Sequence, residues 1–160
     1  MLYVIAKIDK SARARLSWIQ SFAASFGVVP RPIYGHITLA AFEGEPSALM
    51  AACKAALAEQ AAFSVDFRTV EVLREERVIA ALAAREGTLA ALRERLAAVA
   101  PCEENWVPHT ALLHDGRMDL NWVRSAMAQM FQPFTAGVER IEFTDGDRVL
   151  DALELKGETA

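Results

Sequence analysis

The chain has 160 residues and a mass of 17.5 kDa, enough for one domain, or two small fused lobes, with a core of its own. A composition that is 53% hydrophobic, 24% charged and 8% aromatic, with no low-complexity tract, excludes a disordered or fibrous protein. Seventeen Lys+Arg against 21 Asp+Glu give a net charge of −4 with no basic stripe, which argues against a protein that grips long nucleic acid through its phosphates, while leaving room for a small anion or an RNA end.

In chain order, Leu2 to Ile8 is an apolar run of β-formers and reads as a buried strand. Asp9 to Phe26 reads as a helix, with Trp18, Ile19, Phe22, Ala23 and Phe26 at three- and four-residue spacing and Gly27 as its stop. Val28 to Pro32 is a connector, because two prolines remove backbone donors. Tyr34 to Phe42 reads as a strand, and Pro46 to Glu59 as a helix with Leu49, Met50, Cys53 and Leu57 on one side. Phe63 to Leu73 alternates with a break in phase that suggests a bulge. Arg77 to Ala83 completes a hairpin across Arg74-Glu75-Glu76.

The second half follows the same plan. Glu86 to Val99 reads as a helix with Leu89, Leu92, Leu96 and Val99 on one stripe. Trp106 to Leu113 reads as a strand, His114-Asp115-Gly116 as a turn, and Leu120 to Phe131 as a helix capped by Asp119. Phe134 to Thr144 and Arg148 to Leu155 read as strands joined at Asp145-Gly146. Val4-Ile5-Ala6 recurs as Val78-Ile79-Ala80, 74 residues on, and His36 recurs as His109, 73 residues on, each histidine following a helix and a Pro-bearing loop. This order of elements favours an internal repeat of about 1–76 and 77–160 within a single two-lobed domain spanning 1–160.

The chemistry lies in the two histidine strands. In Tyr34-Gly35-His36-Ile37-Thr38-Leu39, strand alternation puts Tyr34, His36 and Thr38 on one face and Ile37 and Leu39 on the other, with Gly35 keeping the approach to the histidine open. Trp106-Val107-Pro108-His109-Thr110-Ala111-Leu112 repeats the histidine and the leucine, with its threonine one residue along instead of two. Two imidazoles facing across a groove suit general acid–base catalysis without a metal, and a threonine hydroxyl suits phosphoryl oxygens as charge develops. On a regular strand Thr110 faces away from the groove; a bulge after His109 would turn it inward, and both remain open.

These residues resemble the two-histidine phosphoesterase superfamily, which includes the bacterial RNA 2′,3′-cyclic phosphodiesterases called 2′-5′ RNA ligases. That family carries two motifs of the form His-x-Thr/Ser-x with an apolar residue last. His36-Ile37-Thr38-Leu39 fits in full; His109-Thr110-Ala111-Leu112 fits at the histidine and the leucine, with Ala111 where the family has a hydroxyl. The resemblance implies an α+β, bilobal, pseudo-duplicated fold of two mainly antiparallel sheets, with helices on the outer faces and the motifs on facing central strands of a groove. It implies metal-independent hydrolysis of 2′,3′-cyclic or 2′,5′-linked phosphodiesters of a nucleotide or RNA end, or the reverse ligation.

The expected site is then His36 and His109 as acid and base, their order unassigned, and Thr38 as phosphate ligand, with Thr110, Tyr34 and Trp106 as substrate-binding residues. No cofactor is called for and no metal is expected. A zinc site from His36, Cys102, His109 and His114 lacks a short ligand pair. Arg93 and Arg95 read as solvated, and Cys53 as core. The partners expected are a small cyclic phosphate, a nucleotide or an RNA end, with no extended nucleic-acid surface and no membrane. The chain is expected to be a monomer. No apolar run approaches the ~20 residues that cross a bilayer, the N-terminus lacks the pattern of a signal peptide, and two isolated cysteines fit a reducing cytoplasm. Two other readings stand beside the enzyme: a weak or inactive relative that binds a nucleotide or RNA end through a degenerate second motif, and an interaction domain whose histidines are incidental.

Overall fold

The computed structural model describes residues 1–27, 31–73, 77–114 and 119–157. The N-terminal apolar run forms β1 (Leu2–Ile8), and Asp9 turns the chain into α1 (Lys10–Ser21). One Asp9 carboxylate oxygen accepts from Ala12 N at 2.7 Å and caps the helix; the other accepts from Gly137 N at 2.6 Å on a distant strand. The helix tightens into a 3₁₀ turn over Phe22–Phe26 and stops at Gly27, whose φ of 78° is the left-handed conformation of a C-terminal cap. The buried stripe runs through Ala12, Leu16, Ile19 and Ala23; Trp18 lies outside it, exposed, with its ring edge-on to Phe22.

There follow β2 (His36–Phe42), α2 (Pro46–Ala56), β3 (Phe63–Leu73), β4 (Val78–Ala83), α3 (Thr88–Ala97), β5 (His109–His114), α4 (Leu120–Met130), β6 (Phe134–Thr144) and β7 (Val149–Glu154). Every expected element is present, with ends that are shorter by a turn or less for the helices. Both histidine strands start later than the sequence suggests, at the histidine itself. Gly35, with a φ of 72°, cannot continue a strand, and Pro108 has no N–H to give to one. The break in phase in β3 is a register shift between Phe67 and Thr69, as the alternation suggested. The expected connector at 28–30, the hairpin tip at 74–76 and the turn residues Asp115 and Gly116 lie outside the described residues.

The architecture is α+β, but the two expected sheets are one. Among the described residues seven antiparallel strands form a single sheet in the order β2-β1-β6-β3-β4-β5, with β7 also on β6. The length of β6 explains the merger. One edge of it pairs with β1 through Val138–Thr144, and the other pairs with β3 through Phe134–Val138 and with β7 through Arg140–Thr144. A strand of 11 residues thus joins what would otherwise be two short sheets.

The histidine strands are also not central in that order: they are its two ends. The sheet curls until β2 and β5 lie beside each other without pairing. The helices pack as α1 with α4 and α2 with α3, and the core is the apolar layer beneath them, with Leu16, Ile37, Leu39, Phe42, Phe67, Ile79, Leu89 and Phe143 all fully buried. Among the described residues no helix is long and apolar enough to cross a membrane.

Candidate active site

The two histidine strands share one backbone plan. In β2, Lys7 of β1 pairs with His36 and Ile5 with Thr38; the next pair is Val4 with Ala40, so Leu39 is an extra, bulged residue. In β5, Leu82 of β4 pairs with His109 and Ala80 with Ala111; the next pair is Ile79 with Leu113, so Leu112 is the bulged residue. The carbonyl before each histidine accepts from the neighbouring strand's end, Gly35 from Ile8 N at 3.0 Å and Pro108 from Ala83 N at 2.9 Å. The equivalent partners Ile5 and Ala80 are 75 residues apart, so the recurrence of Val-Ile-Ala at 74 is one residue out of structural register.

Alternation then decides which side chains face the groove. A cavity of about 570 Å³ between the strands is lined by His36, Thr38, Ala41, Trp106, His109, Ala111 and His114, among others. Thr110 is not among them: it is 2% exposed and points into the core between His109 and Ala111. The bulge that the sequence left open exists, but it falls at Leu112, too late to turn Thr110 inward. Thr110 is therefore placed away from the ligand side, contrary to its expected substrate-binding position. His114 is the last residue of β5 and lines the groove, so it belongs to the strand and not to a turn.

His36 is half-buried, with the Tyr34 ring edge-on at 5.6 Å. Burial, then the Lys7 ammonium, then His109 and more weakly His114, push its pKa down to about 4, against an opposing pull from Glu142; the ring is neutral at pH 7. His109 Nδ1 lies 2.8 Å from the Val107 carbonyl, which only accepts, so Nδ1 carries the proton and exchange with a ligand runs through Nε2.

Around the first histidine lies a network that the sequence reading missed. Lys7 donates to the Tyr34 carbonyl and sits over the Tyr34 ring. The Tyr34 hydroxyl donates to Glu142 Oε1 at 2.6 Å, and Arg140 Nε donates to Glu142 Oε2 at 3.2 Å. Glu142 is only 5% exposed, and this pairing satisfies its buried charge. Burial lowers the Lys7 pKa to about 8; burial and Glu142 raise that of Tyr34 to about 12. One signal was available: Lys7 is the single charged residue in the apolar run of β1. Tyr34, expected to meet substrate, lines a neighbouring cavity of about 480 Å³ with Tyr3, Ile5, Arg148 and Val149; His36 and Thr38 stand between this cavity and the groove.

Trp106 is largely buried, and its indole N–H donates to the Thr38 carbonyl at 2.8 Å, tying the two motifs together. Arg93 is not a solvated charge. It donates to the Leu39 carbonyl at 2.6 Å and lies over the Trp106 ring at 5.3 Å. Gln20 does the same for β5, donating to the Leu112 carbonyl at 2.7 Å and to Arg31 O at 2.6 Å. The open edges of both strands are thus held by side-chain donors. Gly35 serves packing rather than access: a Cβ there would lie 2.3 Å from the Arg13 stem. Among the described residues no group of three His, Cys, Asp or Glu side chains is arranged to hold a metal ion.

Comparison with known proteins agrees with the fold. No curated protein sequence matches the chain. A protein of Thermus thermophilus of known structure aligns with a TM-score of 0.72 at 20% identity, covering 98% of each chain. LigT of E. coli aligns with a TM-score of 0.67 at 17% identity over 98% of this chain and 97% of its own. Usb1 of Kluyveromyces marxianus aligns with a TM-score of 0.60 at 12% identity, over 96% and 97%. At such identities these likenesses show the shared fold. The model of the 2′-5′ RNA ligase superfamily matches residues 10–149, nearly the whole chain and both histidine strands, and the chain belongs to that superfamily.

Proposed function

We propose that the chain is a metal-independent phosphodiesterase acting on 2′,3′-cyclic or 2′,5′-linked phosphodiesters of a nucleotide or RNA end. The observation that carries this reading is the pair of imidazoles, from strands of identical register and bulge, lining one groove. E. coli LigT, of the same fold, has been solved with ATP, 3′-AMP, NADP+ and phosphate, which fits a groove for small phosphorylated ligands. The matching pairing of β1 with β2 and of β4 with β5 supports the internal repeat of about 1–76 and 77–160 as the origin of that groove.

The different surroundings of the rings favour an order of action. Neutral His36 accepts a proton from water as the water oxygen bonds to phosphorus. His109, entering the step as the imidazolium, gives its Nε2 proton to the ribose oxygen as that oxygen's bond to phosphorus breaks, and keeps the Nδ1 proton held at Val107. The Thr38 hydroxyl donates to a phosphoryl oxygen as charge builds. With a 5′-hydroxyl in place of water the same groups would join it to the cyclic phosphate, His36 taking its proton and His109 protonating the ribose oxygen that leaves.

The test is turnover of nucleoside 2′,3′-cyclic monophosphates in excess EDTA. Hydrolysis should persist in chelator, and His36→Ala and His109→Ala should each lower kcat by roughly 10²- to 10⁴-fold. Loss of turnover in EDTA with rescue by zinc, or a histidine variant near the wild-type rate, would overturn the reading.

A further inference from the structure

The internal equivalence of the two strands exposes an exchange of residues. From each histidine, positions +2 and +5 face the groove, because the bulge at +3 shifts the alternation by one. In β2 these positions are Thr38 and Ala41; in β5 they are Ala111 and His114. Each strand therefore presents its histidine and one further polar side chain, at +2 in β2 and at +5 in β5. Leu112 and Leu113 are both buried, so the bulge is what turns His114 out of the core phase and into the groove. His114 is exposed and lines the same cavity as His36, Trp106 and His109.

His114 does not stand in for the hydroxyl missing at Ala111. Four residues of strand lie between it and His109, a path of roughly 13 to 16 Å at about 3.3 Å per residue with the bulge taking up part of the length, while it is near enough to His36 for its charge to act on that ring. His114 therefore flanks the His36 side of the histidine pair, which fits the backbone phosphate next to the reacting one. We propose that His114 donates a hydrogen bond to a backbone phosphate of the neighbouring nucleotide, so that the preferred substrate is an oligonucleotide end rather than a mononucleotide. An imidazole N–H is a suitable donor to a phosphate oxygen, and an anion there would sit in the same groove as the histidine pair, beside the reacting phosphate. This rests on the phosphodiesterase reading of the groove and adds to it the length of ligand that fills it.

The experiment compares a trinucleotide ending in a 2′,3′-cyclic phosphate with a nucleoside 2′,3′-cyclic monophosphate. The ratio of their kcat/KM values should favour the trinucleotide in the wild-type chain and fall by roughly 5- to 30-fold in His114→Ala, mostly through KM of the trinucleotide. His114→Gln, which keeps an N–H donor, should retain more of that ratio than His114→Ala. An unchanged ratio in His114→Ala, or a larger loss in His114→Gln, would overturn the assignment. Binding separates this inference from the catalytic one. Calorimetry with a trinucleotide 3′-phosphate should give tighter binding than a nucleoside 3′-phosphate, weakened in His114→Ala. If the wild-type chain turns over neither substrate but shows this binding pattern, the phosphodiesterase reading fails and the subsite stands. If the trinucleotide binds no tighter, or binds the variant equally, the subsite fails.

Discussion

Strands β2 and β5 have the same hydrogen-bond register, the same bulge three residues after the histidine and the same alternation of buried and groove-facing positions. Their side chains differ. On β2 the histidine is half-buried beside Lys7 and Tyr34 and has Thr38 two residues on. On β5 the histidine is held through Nδ1 by its own chain at Val107 and has Ala111 two residues on. A backbone that presents two equivalent faces has thus been filled unequally: one half carries the neutral ring and the hydroxyl, the other a ring fixed in its tautomer. Two equal imidazoles would have no reason to act in a set order, whereas two rings in different surroundings do.

The largest effect that bears on this comparison is at the threonines. Thr38 faces the groove and Thr110 faces the core, although each lies within two residues of its histidine. Thr38→Ala should therefore lower kcat on a 2′,3′-cyclic nucleotide by roughly 10- to 1000-fold, the range for loss of one oxyanion donor. Thr110→Ala should leave kcat within about twofold and show itself in thermal stability, since it opens a small gap in a packed layer. Similar losses of kcat in the two variants would mean that the halves are not distinguished in the way their burial indicates.

Much of this was legible in the sequence, and the reasons for the exceptions are physical. The elements, the separation of the histidines and the groove side of His36 and Thr38 followed from hydrophobic period and strand alternation. Alternation also left Ala111, not Thr110, on the His109 face, provided that the strand stayed regular as far as Ala111; in β3 a break in alternation marks the bulge, but the short apolar run of β5 carries no such mark. His114 was hidden because Asp115-Gly116 made it read as part of a turn, and because a regular strand carried on to it would put it on the core side, which the bulge at Leu112 reverses. The joining of two sheets through β6 was not legible, because strand length says nothing about which edges pair. The roles of Lys7, Arg93 and Glu142 were missed because each is decided by partners far away in sequence, as with Tyr34 and Glu142, 108 residues apart.

A second effect, of middle size, tests the difference in charge around the rings. With the His36 pKa at about 4, a base at this position stays neutral down to that pH, so the acid limb of kcat/KM assigned to His36 should lie near pH 4. Burial is the largest cause and Lys7 the next, so Lys7→Met should move that limb to higher pH. The sign for stability follows from the same shift. Above pH 6.5 the ring is neutral in folded and unfolded chains and contributes nothing. Between 6.5 and about 4 the unfolded chain takes up a proton that the folded chain refuses, so stability falls as pH drops through that window. Melting temperatures of the wild-type chain and His36→Gln across pH 4 to 7 should therefore differ in slope, the variant being flatter. Parallel curves, or an acid limb unmoved in Lys7→Met, would remove the electrostatic distinction between the two halves.

The smallest effect expected, and the one that most sharpens the comparison, is a gain. Ala111 is groove-facing, half-buried and in the register position that Thr38 holds in the other strand. A threonine there is β-branched, suits a strand, and would direct its hydroxyl to the same side as His109. If the groove is symmetric in backbone and unequal only in side chains, Ala111→Thr supplies a second donor to the bound phosphoryl group and raises kcat/KM on a 2′,3′-cyclic nucleotide by about 2- to 10-fold, in line with one added hydrogen bond. The gain should be larger in the Thr38→Ala background, where the added hydroxyl is the only threonine donor on the groove side of either motif, and a double-mutant cycle measures this coupling directly. An inert or harmful Ala111→Thr in both backgrounds would show that the second half holds the phosphate by other means than its counterpart, and that the equivalence of the two strands ends at the backbone.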